Sequence, residues 1–157
     1  VTTILDSALE NRCVRYRCEA HLPASVDPAS HHILLEVGAR YGAVTMPEDL
    51  GEHVRQQLSR AGITGPIVHH PRAHRWTFIT GPGTPSTAVA AELFRLYTTV
   101  ACAGSPVVLP SADDERTGYR VWIQPPGRSD AVPSLDTVIE ATRTASGGSA
   151  RPHTRQR

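Results

Sequence analysis

Residues 65–83 read GPIVHHPRAHRWTFITGPG. Two short apolar runs, Ile67–Val68 and Trp76–Ile79, flank Pro71-Arg72-Ala73, and glycine and proline bound the stretch on both sides. That pattern predicts a β-hairpin closed by a tight turn. Period-two alternation puts Trp76 and Phe78 on one strand face, which we read as core. His69 and His70 are neighbours and must point to opposite faces. Only one of them can therefore share a face with His74.

Outward from the hairpin, the chain alternates strand pairs with helices. Gly81-Pro82-Gly83 ends it, and Thr84-Pro85 opens a predicted helix to about Tyr97, with Val89, Leu93 and Leu96 or Tyr97 inward. Upstream, Pro47 is read as the first residue of a helix. Glu48 and Asp49 suit its positive end, Leu50, Val54 and Leu58 face the core, and Gly62 stops it. Before that, His31–Val37 is read as a strand that turns at Gly38-Ala39-Arg40 and returns as Tyr41–Met46. Leu22–Ser30 is read as loop, and residues 3–17 as a helix with Leu5, Leu9, Cys13 and Tyr16 on one stripe. Downstream, Thr98–Ala101 and Ser105–Pro110 are short strands, with Cys102 expected to be buried. Ser111–Gly118 is an acidic loop. Tyr119–Ile123 is a strand with Tyr119, Val121 and Ile123 on one face and Arg120 and Trp122 on the other. Ser134 caps a last helix that buries Leu135, Val138 and Ile139.

The organisation expected is a single α+β domain over residues 1–145, with a mixed or mostly antiparallel sheet of hairpins and helices packed on it. Residues 146–157, SGGSARPHTRQR, lack large apolar side chains and are expected to form a disordered C-terminal tail.

The 157 residues suffice for one core, and aromatics at 5% make that core aliphatic. A formal net charge of +1 excludes a global field that would steer the chain to nucleic acid or membrane. All 16 basic residues are arginine, so any anion recognition falls to guanidinium groups. There are three cysteines, no signal-peptide pattern at the N-terminus, and no apolar run of the ~20 residues that span a bilayer. The expectation is a cytoplasmic protein with free thiols and no membrane partner.

Catalytic motifs are missing. No GxSxG, Walker or GxGxxG pattern occurs, and no cofactor is expected. His70 and His74 are candidate metal ligands, with Asp113-Asp114-Glu115 able to supply oxygens. Cys13, Cys18 and His21 form a second such set. Gly81–Thr84 before a helix is a candidate anion cradle. Arg72, His74 and Arg75 at the hairpin turn, with Arg120 and Trp122, form the candidate nucleic-acid or anion surface, since arginine reaches phosphates and an aromatic ring can stack on a base.

Two segments carry a resemblance. Ala103–Pro126, with VVLPS followed by TGYRVWIQPP, resembles the C-terminal part of a primase/polymerase (prim-pol) domain of the archaeo-eukaryotic primase type. His74–Phe78 before Gly81-Pro82-Gly83 is similar to that family's central strand, and Gly42–Met46 stands at its first catalytic strand. The family's metal-binding aspartates have no counterpart: Val44, Thr45 and Met46 occupy that place. The resemblance thus implies a degenerate domain without two-metal chemistry. The run MPEDLG…GPIVHHPR…RWTFITGP…VVLPS…TGYRVWIQPP is also similar to small actinobacterial proteins of unassigned function, which bring no activity with them. The function expected is a non-catalytic binding or regulatory module for nucleic acid or nucleotide. A metal-dependent enzyme using His70 and His74 and a pure protein-interaction module are the alternatives.

Overall fold

The structure is a computed structural model that describes residues 2–128 and 131–150. In chain order the elements are α1 (Thr2–Cys18), β1 (Ala24–Asp27), β2 (His32–Glu36), β3 (Gly42–Pro47), α2 (Glu48–Arg60), β4 (Ile67–His70), β5 (Arg75–Thr80), α3 (Thr87–Phe94), β6 (Thr99–Val100), β7 (Pro106–Leu109), α4 (Ala112–Thr117), β8 (Val121–Gln124) and α5 (Leu135–Ala150). They form a single α+β domain with two antiparallel sheets, in the orders β1-β2-β7 and β6-β3-β5-β4-β8.

Within the larger sheet, β3-α2-β4-β5-α3-β6 is a βαββαβ run whose strands lie in the order β6-β3-β5-β4. This is the connectivity of the split βαβ motif, and β8 extends it beyond β4. The expected hairpin is its centre. β4 and β5 pair Ile67 with Phe78 and His70 with Arg75, and Pro71–Ala73 make a single 3-10 turn between them.

One face of this sheet carries Val44, Met46, Ile67, Trp76 and Phe78. They pack against Val54 and Leu58 of α2, Leu93 of α3, and Leu135, Val138 and Ile139 of α5. On the other face, Ala43, Val68 and Ile79 join Cys13 and Tyr16 of α1 and Ile33, Leu35, Val107 and Leu109 of the smaller sheet. Both faces of β3 are therefore buried, and its run of apolar residues follows from that.

Several local expectations need correction. His31–Val37 and Tyr41–Met46 do not form a hairpin, because β2 and β3 belong to different sheets. β2 pairs instead with β7 and with β1, a strand inside the stretch read as loop. The turn residues there are as read: Asp27 accepts from the Ala29 amide and the Ser30 hydroxyl. Pro47 ends β3 and caps α2 from outside the helix. The end of α2 is as expected, with Gly62 at φ +73° and a Schellman pair of bonds, Ile63 N–H to Leu58 and Gly62 N–H to Ser59. α3 begins at Thr87 behind a Ser86 cap, shorter than expected, and Tyr97 stands outside it, 75% exposed. Cys102 is exposed, not buried. The acidic loop is a helix, α4, closed by a capping box between Ser111 and Asp114. Tyr119 precedes β8 and is exposed. α5, capped by Ser134 as expected, continues past Ser146 to Ala150; residues 151–157 of the expected tail lie outside the described residues. No helix among the described residues is long and apolar enough to cross a membrane.

Candidate functional site

The apolar cover on the second face of the larger sheet gives out at one end. There the register places His70 of β4 opposite Arg75 of β5. On the other side of β4, His69 pairs with Val121, which brings the preceding residue, Arg120, beside His70. Neighbouring strands lie ~4.8 Å apart. A single row across three strands thus carries a guanidinium, an imidazole and a guanidinium. The next row inward is Trp122, Val68, Thr77 and Thr45.

Each member of the row is held differently. Arg75 Nη2 donates to the carbonyls of Tyr97, at 2.8 Å, and Thr45, at 3.3 Å. Among the described residues no carboxylate pairs with it. Arg120 Nη1 donates to Asp114 Oδ2 at 2.7 Å, and its side chain is only 9% exposed. Its Nε is buried without a hydrogen-bond partner among the described residues. His70 Nε2 meets Thr77 Oγ1 at 3.0 Å, and Thr77 Oγ1 meets Thr45 Oγ1 at 2.9 Å, a relay of neutral groups beneath the row. Burial, followed by the charges of Arg120, His69 and Arg75, pushes the His70 imidazole down to a pKa of about 4. His70 is therefore neutral at pH 7. Just outside, the guanidiniums of Arg72 and Arg120 both lie against the Tyr119 ring, at 5.1 and 5.2 Å from its centroid.

Of the surface read from the sequence, Arg72, Arg75 and Arg120 come together at this end of the sheet. His74 and Trp122 do not join them. His74 closes the hairpin turn in a left-handed conformation, and its Nδ1 lies 3.2 Å from Glu48 Oε1. His69 Nε2 lies 3.1 Å from the other Glu48 oxygen. The hydrogen bond from His69, and then that from His74, holds the Glu48 carboxyl below its usual range. His69 is thus the histidine that shares a side with His74, and the proposed pair His70 and His74 has no common partner. Trp122 lies on the Arg120 face but is turned to α1, where its Nε1 donates to the Tyr16 hydroxyl at 3.0 Å.

The remaining candidates serve the fold. Asp113 pairs with Arg116, Asp114 with Arg120 and Glu115 with Arg12. Cys13 is buried and Cys18 exposed, so they do not face a common point. Gly81–Thr84 stops short of α3, and the Gly81 amide donates to the Pro133 carbonyl. Among the described residues no three His, Cys, Asp or Glu side chains are grouped to hold a metal.

No family model, curated protein or solved structure matches this chain. The site has only its own chemistry to speak for it. Arg75, with no carboxylate among the described residues, and Arg120, paired with Asp114 through one nitrogen, stand next to a neutral imidazole and two hydroxyls, a set that suits an oxyanion. The sequence reading missed His70, Thr45, Thr77 and Tyr119 as neighbours of the arginines. Counting outward from the Pro71–Ala73 turn would have paired His70 with Arg75, but nothing local shows that β8 docks on β4.

Proposed function

We propose that the chain is a non-catalytic binding or regulatory module that holds nucleic acid at the open end of its larger sheet. Arg75, Arg120 and Arg72 contact phosphate in this reading, and Tyr119 offers a ring to a base. The observation that carries it is Arg75: a partly buried guanidinium held, among the described residues, by two carbonyls, in a row with a second buried guanidinium. Such a charge is costly to desolvate without an anion. By analogy, four-stranded sheets that bind single-stranded RNA present an open face to it. Here Trp76 and Phe78 lie on the opposite, buried face, so charge rather than stacking dominates.

The primase-type resemblance is compatible with this site. β3, which stands at the family's first catalytic strand, pairs directly with β5, and Arg75 reaches back to the Thr45 carbonyl. β3 brings no carboxylate; Glu48, just beyond it, is engaged by His69 and His74. A protein-interaction role is the second reading. It rests on Phe94, the last residue of α3, and Tyr97, three residues further on, which are 72% and 75% exposed.

Binding of a fluorescent single-stranded DNA at low salt tests the proposal. Affinity should fall steeply with salt and drop at least tenfold in Arg75→Ala. Absence of binding at low salt overturns it.

A further inference from the structure

Resting on the reading of that face as an anion site, we propose that Arg120 and His70 form a proton-linked pocket for one tetrahedral oxyanion, such as a phosphate group, with the oxyanion completing the hydrogen bonding of the Arg120 Nε. The geometry starts from that nitrogen. A guanidinium with 9% of its side chain exposed has one N–H without an acceptor among the described residues, though Asp114 takes another. Buried N–H groups left without partners are rare and destabilising, and an absent ligand or water is a common reason for one. The register sets Arg120 beside His70 and sets Arg75 on the other side of His70. An oxyanion over this row meets the His70 imidazole with Arg120 on one side and, on the other, Arg75, whose Nη2 is turned to the Thr45 and Tyr97 carbonyls.

The proton linkage follows from the charges around His70. Arg75 faces it from β5 and Arg120 from the start of β8. His69 adjoins it on β4, with Glu48 on the far side of the sheet. Asp114 of α4 acts through Arg120, and Arg72 stands behind Tyr119. Thr77 and Thr45 are neutral. Burial first, and then the cations on either side, keep a proton off the imidazole. An oxyanion reverses that balance, and His70 takes up a proton as it binds. Affinity then rises as pH falls toward 5. A neutral imidazole spares the fold a further positive charge beside the two guanidiniums, while its protonated form offers a bound oxyanion a further charged donor.

Sulfate and a thymidine oligonucleotide are suitable probes, because neither changes charge between pH 5 and pH 8. Calorimetric titration in two buffers of different ionisation enthalpy reads proton uptake directly. We expect sulfate to bind with uptake of a proton near pH 6, at least tenfold more tightly at pH 5.5 than at pH 7.5. His70→Gln should keep binding but lose the uptake and the pH dependence, and Arg120→Lys should lose at least tenfold in affinity. Should Arg120→Lys fail to fold, the wild-type and His70→Gln titrations decide alone. Sulfate binding with proton uptake, and no oligonucleotide binding, supports this pocket and overturns the nucleic-acid reading. Oligonucleotide binding without proton uptake leaves that reading and overturns the pocket. No binding of either probe overturns both.

Discussion

Trp122 Nε1 donates to the Tyr16 hydroxyl at 3.0 Å, joining the edge strand of the larger sheet to the first helix across 106 positions of sequence. The two rings meet edge to face, 5.9 Å between centroids. Tyr16 in turn donates to the Pro110 carbonyl at the end of β7. This indole is a fastener between sheets. Trp122→Phe should lower stability by about 1–2 kcal/mol, from one hydrogen bond and some packing. It should leave oligonucleotide affinity within twofold. Urea unfolding and a binding isotherm on the same preparation check both halves.

Arg75 and His74 are neighbours with opposite assignments. Arg75→Ala should weaken oligonucleotide binding and lower the slope of log affinity against log salt by about one. His74→Ala should leave that slope unchanged, because His74 faces Glu48. Equal effects from both would show that the hairpin turn itself, rather than the sheet face, meets the ligand.

The pH dependence of stability follows from His70. Its folded pKa, about 4, lies below the ordinary imidazole value of 6.5. The unfolded chain therefore gains a proton before the folded one does, and stability falls as pH drops from 6.5 toward 4. Allowing for its partial exposure, His70 should account for about 1–2 kcal/mol of that loss. Thermal melts from pH 7.5 to 4.5 should show a flatter profile in His70→Gln. An unchanged slope would place the acid sensitivity elsewhere.

Gly51 sits where α2 crosses Trp76. A Cβ there would stand 2.8 Å from Trp76 Cε3. Overpacking of ~1–3 kcal/mol outweighs the ~1 kcal/mol that alanine gains as a helix former. Gly51→Ala should thus be destabilising, by roughly 1 kcal/mol in chemical unfolding. Gly147 of α5 has open space around it, so Gly147→Ala should be neutral or slightly stabilising.

Ser111→Ala removes the hydroxyl that accepts from the Asp114 amide and should lower stability by about 0.5–2 kcal/mol. Asp114 also holds Arg120, so this variant should weaken sulfate binding as well. Loss of stability with intact sulfate affinity would separate α4 from the site.

The hairpin, α1, α2 and α5 were legible because their signals are local. Alternation in RWTFIT, the four-residue step of Leu50, Val54 and Leu58, and Ser134 before Leu135 each speak for themselves. The partition into two sheets was not legible. His31–Val37 and Tyr41–Met46 look like a hairpin because the turn at Gly38–Arg40 permits one, yet both strands find better partners far along the chain. The acidic stretch misled through composition: Ser111-Ala-Asp-Asp has the spacing of a capping box, and three carboxylates at a helix start are favourable to its dipole. The site was half legible. Arg72, Arg75 and Arg120 were named from residue type alone, while the pairing of Arg120 with His70 depends on where β8 docks.

That docking has a consequence for how the protein is made. The four strands of the split βαβ motif are complete at Val100, with His70 and Arg75 already in place. Arg120 arrives twenty residues later, just before a strand added to the edge of that four-stranded sheet. A nascent chain halted between these points would hold the four-stranded motif and two thirds of the row, but would lack α5 and its core residues Leu135, Val138 and Ile139. Ligand binding that needs all three side chains would then report that β8 has docked, not merely that the four-stranded motif has formed.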